Sequence, residues 1–324
     1  MKANQEQFDI FAFDATWNRR PTTPTLHSDL CQSDRSAASQ DCLTLTSSVR
    51  EISSRYSFCV NALGAQILAN NKVIQLAAAA EVGLPMPATL ISNDAQEIRE
   101  FANRFGGQVI AKALTPASWA GEGIQFHTYS KRIRPEDMEA SSIESAPAIF
   151  QQYIEKAFEL RVTIMGDTFI TAVLHSQSTD YGRDDWRLDQ AGLKVTQGEL
   201  PGALQNKLTQ LMRKLGLVYG AADLIVTPAG EFVFLEVNEA GQFLWVERFC
   251  PEIPMLDCFT QFLLSRNPRF RYEEPAAPLR VRDYRAAEAT FLKRFSAEEL
   301  SRAYSANRPS LEPDKDGAAM RSVE

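Results

Sequence analysis

A chain of 324 residues, 44% hydrophobic and 23% charged, has the composition of a globular protein with about two domains and a sizeable core. Its 34 basic and 41 acidic side chains leave a net charge of −7, which weighs against nucleic acid or an anionic membrane surface as a partner. No apolar stretch reaches the ~20 residues of a membrane helix, and the opening MKANQEQFDIFAFDA lacks the apolar core of a signal peptide. A soluble, cytoplasmic protein is expected. Cys31, Cys42, Cys59, Cys250 and Cys258 form no CxxC or Cys/His cluster, the pattern of reduced structural thiols.

In chain order, FDIFAF alternates as a strand does, and WNRRPTTPT with a Ser/Asp/Gln-rich stretch to about Asp41 reads as a long loop, leaving room for one helix before residue 60. Asn70 or Asn71 caps a helix through Lys72–Glu81, which Gly83 and Pro85 stop. A strand at Ala88–Ile91 precedes a helix capped by Asn93 or Asp94 and ending at Arg104. A Gly106-Gly107 turn then leads to the strand Gln108–Leu114. The loop TPASWAGEG runs into the strand IQFHTYS, so two strands flank a glycine-bearing turn. AIFQQYI is a strand end, and ELRVTIMGDTFITAVLHSQS is a hairpin turning at Gly166-Asp167. LPGALQNKLTQLMRKLGL is an amphipathic helix, and AADLIVTPAGEFVFLEVNEAG is a second hairpin turning at Pro228-Ala229-Gly230. After the helix PMLDCFTQFLLSR the composition shifts at Asn267, predicting a tail with a helix around Ser296–Tyr304. Helices mixed with mostly antiparallel hairpins predict an α+β fold.

Three constellations carry chemistry. If the second hairpin turns about Ala229-Gly230, Asp223 faces Glu236 across the ladder, and Asn238 shares the face of Glu236. Three oxygen side chains on one patch suit Mg²⁺, which is commonly shared with nucleotide phosphates; a three-residue loop would shift the pairing by one, and a solvated acidic strand end is the plainer alternative. Lys112 lies in the strand VIAKAL, with Ser118, Gly121 and Gly123 following in a turn whose backbone N–H groups can cradle phosphate; an ordinary hairpin beside a snorkelling lysine is the alternative. Arg161 alternates with Leu160 and Val162, and Arg187 closes DDWR. A guanidinium suits a phosphate or acyl phosphate as well as a surface pairing with Asp184 or Asp185.

Read in order, NKVIQL, VIAKAL, AGEGI, FQQYIEKAFELRV, DLIV and FLEVNEAGQ resemble the ATP-grasp ligases over about residues 61–265. Within them, WNRRP, HSQ followed by DDWR, and EVNEAGQFLWVE look most like the macrocyclases of microviridin-type peptides, the graspetides. The resemblance implies two α+β subdomains clasping ATP. It also implies a ribosomally made precursor peptide whose Asp or Glu side chain is phosphorylated and then attacked by a Ser/Thr hydroxyl or Lys amine of the same peptide. It implies that Lys72 and Lys112 contact ATP phosphates under a loop from Ser118 to Gly123, and that Gln152, Tyr153 and Ile154 offer backbone contacts to adenine. Glu159 would reach the ribose, while Asp223, Glu236 and Asn238 hold Mg²⁺ and Arg161 with Arg187 faces the transferred phosphoryl group. His175, Trp17 and Trp186 read as packing or supporting groups.

The corresponding division is 1–62 as a truncated segment of the domain that precedes the grasp fold in relatives, 63–148 with the glycine loop, 149–266 with the metal and phosphate site, and 267–324 as the tail. Relatives carry a complete α/β domain before the grasp fold, whereas here WNRRP begins at residue 17. Related enzymes are often homodimers, and an incomplete first domain leaves apolar surface for such a partner to cover. A ligase adding free amino acids to a peptide or protein terminus uses the same ATP residues, and a degenerate, non-catalytic nucleotide- or peptide-binding protein is a third reading.

Overall fold

A computed structural model describes residues 2–3, 6–7, 9–19, 26–115, 118–121, 124–127, 130–134, 144–178, 192–284, 287 and 290. The chain begins with a short antiparallel pair, β1 (Lys2–Ala3) and β2 (Glu6–Gln7). Residues 9–14 then run through turns and bends with Phe11 and Phe13 exposed, so the described part of FDIFAF, residues 9–13, does not form the expected strand. The strand lies just beyond it: β3 (Ala15–Trp17) pairs in parallel with β4 (Phe58–Val60) across the 25-residue helix α1 (Gln32–Tyr56).

Helix α1 takes over the end of the expected Ser/Asp/Gln-rich loop, from Gln32 to Asp41, and is the helix for which the sequence left room before residue 60. It buries only Ser53, so it has no apolar stripe from which to be read. Its hydroxyls bond back to its own carbonyls, Thr46 to Cys42, Ser48 to Thr44 and Ser54 to Glu51, which satisfies polar groups that otherwise compete with a helix. Helix α2 (Leu63–Asn70), which was not anticipated, leads into α3 (Lys72–Glu81). There Asn71 Oδ1 accepts from the N–H groups of Val73 and Ile74, the predicted cap.

Next come β5 (Thr89–Ser92) and α4 (Ala95–Arg104), whose cap is Asp94, accepting from Gln96 and Glu97. They are followed by β6 (Val109–Lys112), β7 (Ser118–Gly121), β8 (Ile124–His127), β9 (Lys131–Ile133) and β10 (Ala148–Gln152). Then come β11 (Phe158–Met165), β12 (Thr168–Leu174), β13 (Val195–Gly198), α5 (Gly202–Lys214), β14 (Tyr219–Val226), β15 (Phe232–Asn238), α6 (Leu244–Phe249) and α7 (Met255–Ser265). Among the described residues no helix is long and apolar enough to cross a membrane.

Two compact units emerge. One gathers Met1–Met86, Lys156–Ser178 and Ala191–Arg280, and the other Pro87–Glu155, Thr179–Gln190 and Val281–Glu324. The second unit holds a four-stranded antiparallel sheet ordered β5-β10-β6-β9. Ile98, Phe101 and Ala102 of α4 share a core with Val109 and Phe150 of this sheet. The expected pairing around the glycine turn is corrected here. The strand of Lys112 pairs with β9 and β10, while the strand within IQFHTYS pairs with β7, formed from the residues SWAG of the supposed loop.

The first unit holds a five-stranded antiparallel sheet ordered β13-β12-β11-β14-β15. Leu160, Val162 and Ile164 of β11, with Ala222, Leu224 and Val226 of β14, meet Leu204, Leu208 and Leu211 of α5 and Ala78 and Ala79 of α3 in one core. Side chains alternate along a strand, so Glu159, Arg161, Asp223 and Tyr219 occupy the opposite face. That face is covered too: Tyr219, Phe243 and Phe259 stack edge-on or tilted, with centroids 4.6–5.9 Å apart. A sheet covered on both faces reads as a near-continuous apolar run, and polar side chains within it stand out as constrained groups.

Residues 267–280, where the tail was expected to begin, lie in this unit. The carbonyl of Phe270 accepts from the N–H of Asp167, and Asp257 accepts from the Tyr272 hydroxyl and the Leu279 N–H, each at 2.9 Å. The helix expected at Ser296–Tyr304 lies outside the described residues. Gly166, at the tip of the β11–β12 hairpin, has φ +59°, and a Cβ there would lie 2.4 Å from the Phe270 nitrogen. Gly166→Ala is therefore expected to cost about 1–3 kcal/mol of stability, measured by urea denaturation; an unchanged midpoint would show that the hairpin tip and residues 267–280 are not locked together.

Candidate active site

On the sheet face away from the shared core, Arg161 pairs with Asp223 and Asp223 with Glu236 across β11, β14 and β15, while Asn238 pairs with Ala221. The predicted facing of Asp223 and Glu236 is therefore present, but the hairpin reaches it by another route. The turn spans three residues, Pro228–Gly230, and pairs Val226 with Phe232 and Leu224 with Phe234, a register that by itself would set Asp223 opposite Leu235. A bulge between Asp223 and Leu224 absorbs Leu235 and restores the pairing with Glu236.

The edge of β15 is closed rather than left free. Phe234 N–H donates to the Pro85 carbonyl, and the buried Gln75 amide meets both backbone groups of Val237, each bond at 2.8 Å. Outward N–H groups three residues apart, instead of two, are the signature of the bulge. Gln75 thus pins the strand between Glu236 and Asn238, one helical turn after Lys72, which opens α3. Asn61, 1% exposed, donates to the carbonyls of Tyr219 and Glu239 and accepts from the N–H groups of Val218 and Tyr219. Asn70 donates to the Glu239 carboxylate, whose pKa burial pushes upward.

Arg161 Nη1 donates to both oxygens of Asp223 at 2.9 Å, and Nη2 donates to the Gln242 carbonyl at 3.3 Å. Its side chain is 7% exposed, and its Nε has no hydrogen-bond partner among the described residues. The guanidinium passes over Gly241, where a Cβ would stand 2.7 Å from Nη2 and 2.5 Å from the Ala221 Cβ. Only a glycine leaves that space. The Tyr219 hydroxyl donates to the Gly241 carbonyl and fixes the turn beneath it.

The donor set fits a magnesium ion. Asp223 and Glu236 are adjacent carboxylates, Glu236 makes no hydrogen bond or ion pair among the described residues, and Asn238 Oδ1 accepts one bond, from Ala240. No group of three or more His, Cys, Asp or Glu side chains gathers among the described residues. Two carboxylates and an amide match the way Mg²⁺ is bound, through one or two carboxylates with phosphates and waters completing the shell.

Glu159 lies two residues from Arg161 on the same face. Its Oε1 accepts from Lys156 Nζ and Ser176 Oγ at 2.8 Å, and burial raises its pKa against the pull of Lys156. His175 is half-buried, with Nε2 at 3.1 Å from Thr196 Oγ1. Trp17 packs on Phe259 and Phe243, the expected packing role.

In the second unit, Lys112 ends β6 and is half-buried opposite Ile149. Ser118 and Gly121 bound β7, and Gly121 pairs with Ile124. Gln152 ends β10 with its N–H given to the Ala88 carbonyl, and the Arg132 guanidinium lies 4.9 Å from the Tyr153 ring centre; Ile154 follows. Gly123, Trp186 and Arg187 lie outside the described residues. The supporting groups Asn61, Gln75 and Gly241 were not singled out in the sequence. The one available signal was an amide recurring within the apolar run from Val60 to Ala80.

Neither a protein-family model nor a curated protein matches the sequence. Solved structures do. A RiPP-associated ATP-grasp ligase of Chryseobacterium gregarium, in complex with ADP and a leader and core peptide, is 24% identical over 83% of this chain and 81% of its own, with a TM-score of 0.74. The macrocyclase MdnC from Microcystis aeruginosa MRC, bound with the precursor peptide MdnA, is 27% identical over 82% of each chain, with a TM-score of 0.70. The macrocyclase MdnB from the same organism is 30% identical over 81% of each chain, with a TM-score of 0.66. The expected α+β ATP-grasp fold is thereby shown, and with 30% identity extending across four fifths of both chains, this protein belongs to the microviridin-type ATP-grasp macrocyclases of ribosomal peptides.

Proposed function

We propose that the chain is an ATP-dependent ligase that closes ester or amide rings within a ribosomally made precursor peptide. The observation that carries this reading is the row Arg161–Asp223–Glu236, in which one carboxylate is neutralised by a buried arginine and its neighbour makes no hydrogen bond or ion pair among the described residues. In the reaction, a carboxylate oxygen of a peptide Asp or Glu attacks the γ-phosphorus of ATP, releasing ADP and leaving an acyl phosphate. A Ser/Thr hydroxyl or Lys amine of the same peptide then attacks the carbonyl carbon, loses its proton, and expels phosphate. Bound Mg²⁺ would supply charge neutralisation at the phosphate oxygens.

In this reading Asp223, Glu236 and Asn238 hold that ion, Lys72 and Lys112 meet the phosphates, and Ser118 to Gly123 cover them and exclude water. Tyr153 and Ile154, with the carbonyl of Gln152, offer backbone to adenine, and Glu159 reaches the ribose. Arg161 and Arg187 stabilise charge on the transferred phosphoryl group. The cytoplasm is the proposed setting. Assembly as a homodimer belongs to the same proposal, and the exposed Ile67, Leu68, Val73 and Ile74 of α2 and α3 offer apolar surface to cover.

The test is the intact mass of a Thr/Ser/Lys- and Asp/Glu-bearing precursor after incubation with the protein, ATP and Mg²⁺. Loss of one water for each ring, with matching ADP release, is expected. A gain of amino acid residue mass would transfer the protein to terminus-extending ligases, and an unchanged mass with no ADP would leave a binding protein.

A further inference from the structure

Two guanidinium groups converge on one residue of the turn after β15. The backbone carbonyl of Gln242 accepts from Arg161, while its side-chain Oε1 accepts from Arg19 Nη2 at 2.6 Å. Arg19 also lies over the Trp17 ring, 5.3 Å from its centre, and Trp17 is itself fixed on Phe259. The preceding residue is equally constrained: Asn18 N–H donates to the Val60 carbonyl, Asn18 Nδ2 to the Asn61 carbonyl, and Gln66 Nε2 to the Asn18 carbonyl.

An exposed arginine ordinarily keeps its rotamer freedom or pairs with a nearby carboxylate. Arg19 does neither. It is exposed, yet held by a hydrogen bond and a ring, and among the described residues it makes no ion pair. Among the described residues one of its five N–H donors is used, which leaves four for an external acceptor. Asp223, the carboxylate that Arg161 joins to this network, already receives both bonds of Arg161 Nη1. A guanidinium pre-ordered without an internal counter-charge is a prepared receptor for an external carboxylate, because the ordering cost is met before binding.

We propose that Arg19 is a specificity-determining residue that receives an Asp or Glu carboxylate of the peptide, beside Arg161, with Gln242 and Trp17 orienting it. This rests on the macrocyclase reading, in which the peptide must bring a carboxylate to the phosphoryl donor. It adds to that reading a residue outside the nucleotide and metal set, and a reason for the chain to prefer acidic peptides.

The experiment measures fluorescence anisotropy of two labelled peptides on the full chain with MgADP: one bearing Thr, Lys, Asp and Glu, the other its Asn/Gln counterpart. Wild-type protein is expected to bind the acidic peptide about 10- to 100-fold more tightly, the worth of a charge-assisted hydrogen bond. In Arg19→Gln the two affinities should converge to within about twofold, with the amide peptide bound as before and the melting temperature unchanged. Arg19→Lys, a point charge without the planar fork, should fall between. Wild-type indifference to peptide charge, or discrimination that survives Arg19→Gln, overturns the assignment. Discrimination lost in Arg19→Gln while wild-type protein leaves the precursor mass unchanged would remove the macrocyclase reading and keep Arg19 as a carboxylate receptor.

Discussion

Glu236→Gln is expected to lower magnesium-dependent ADP release by about 10³-fold or more while leaving the protein at least as stable as wild type. In the proposed site the loss follows from removing one of the carboxylates that would hold Mg²⁺, since a bound divalent ion contributes several kcal/mol of transition-state charge stabilisation and about 1.4 kcal/mol is a factor of ten. The stability follows from the sheet. Glu236 stands directly opposite Asp223 and makes no bond among the described residues, and like charges facing across a ladder are unfavourable by about 0.2–1 kcal/mol. Relief of that repulsion should leave the melting temperature equal or slightly raised. ADP release within tenfold of wild type would remove Glu236 from the metal site, and a large fall in melting temperature would mean that it has a structural partner instead.

Asn61→Leu is expected to destabilise the protein by about 3–5 kcal/mol, among the largest effects of a single substitution. The side chain is of similar size, so the cost lies in hydrogen bonding rather than volume. Two N–H groups and two carbonyls at the ends of β14 and β15 lose their partner together. The same substitution loosens the support of Arg161, because Tyr219 holds Gly241 and Gly241 leaves the space through which the guanidinium passes. Asn61→Asp separates the halves of this network: a carboxylate can accept from Val218 and Tyr219 but cannot donate to the carbonyls of Tyr219 and Glu239. A urea midpoint shift worth less than about 1 kcal/mol at unchanged m-value would show that the strand ends are held by other contacts.

What could be read along the chain was local. The caps at Asn71 and Asp94, and the hairpins turning at Gly166 and around Ala229, follow from neighbours a few residues apart. Room for a helix before residue 60 was legible but the start and 25-residue extent of α1 were not, because a helix that buries only Ser53 carries no apolar period. The facing of Asp223 and Glu236 was expected on a turn centred between Ala229 and Gly230. The real turn is one residue longer, Pro228–Gly230 centred on Ala229, and the bulge between Asp223 and Leu224 restores the facing that this turn alone would have shifted by one.

The sequence by itself determined the chemistry available: oxygen-bearing side chains at Asp223, Glu236 and Asn238, and lysines and arginines in the order of the ATP-grasp ligases, which is the resemblance that pointed to the family. Only the tertiary structure decided how those groups are held. Arg161 and Asp223 are 62 residues apart in the chain, Gln75 and Val237 162, and Arg19 and Gln242 223. Turn and capping preferences act over a few residues, whereas these contacts arise when strand order and a closed sheet edge bring distant segments together. The physical reason is desolvation. A polar group buried in a sheet covered on both faces must find its partner wherever the fold supplies one, and that partner leaves no periodic mark in the sequence.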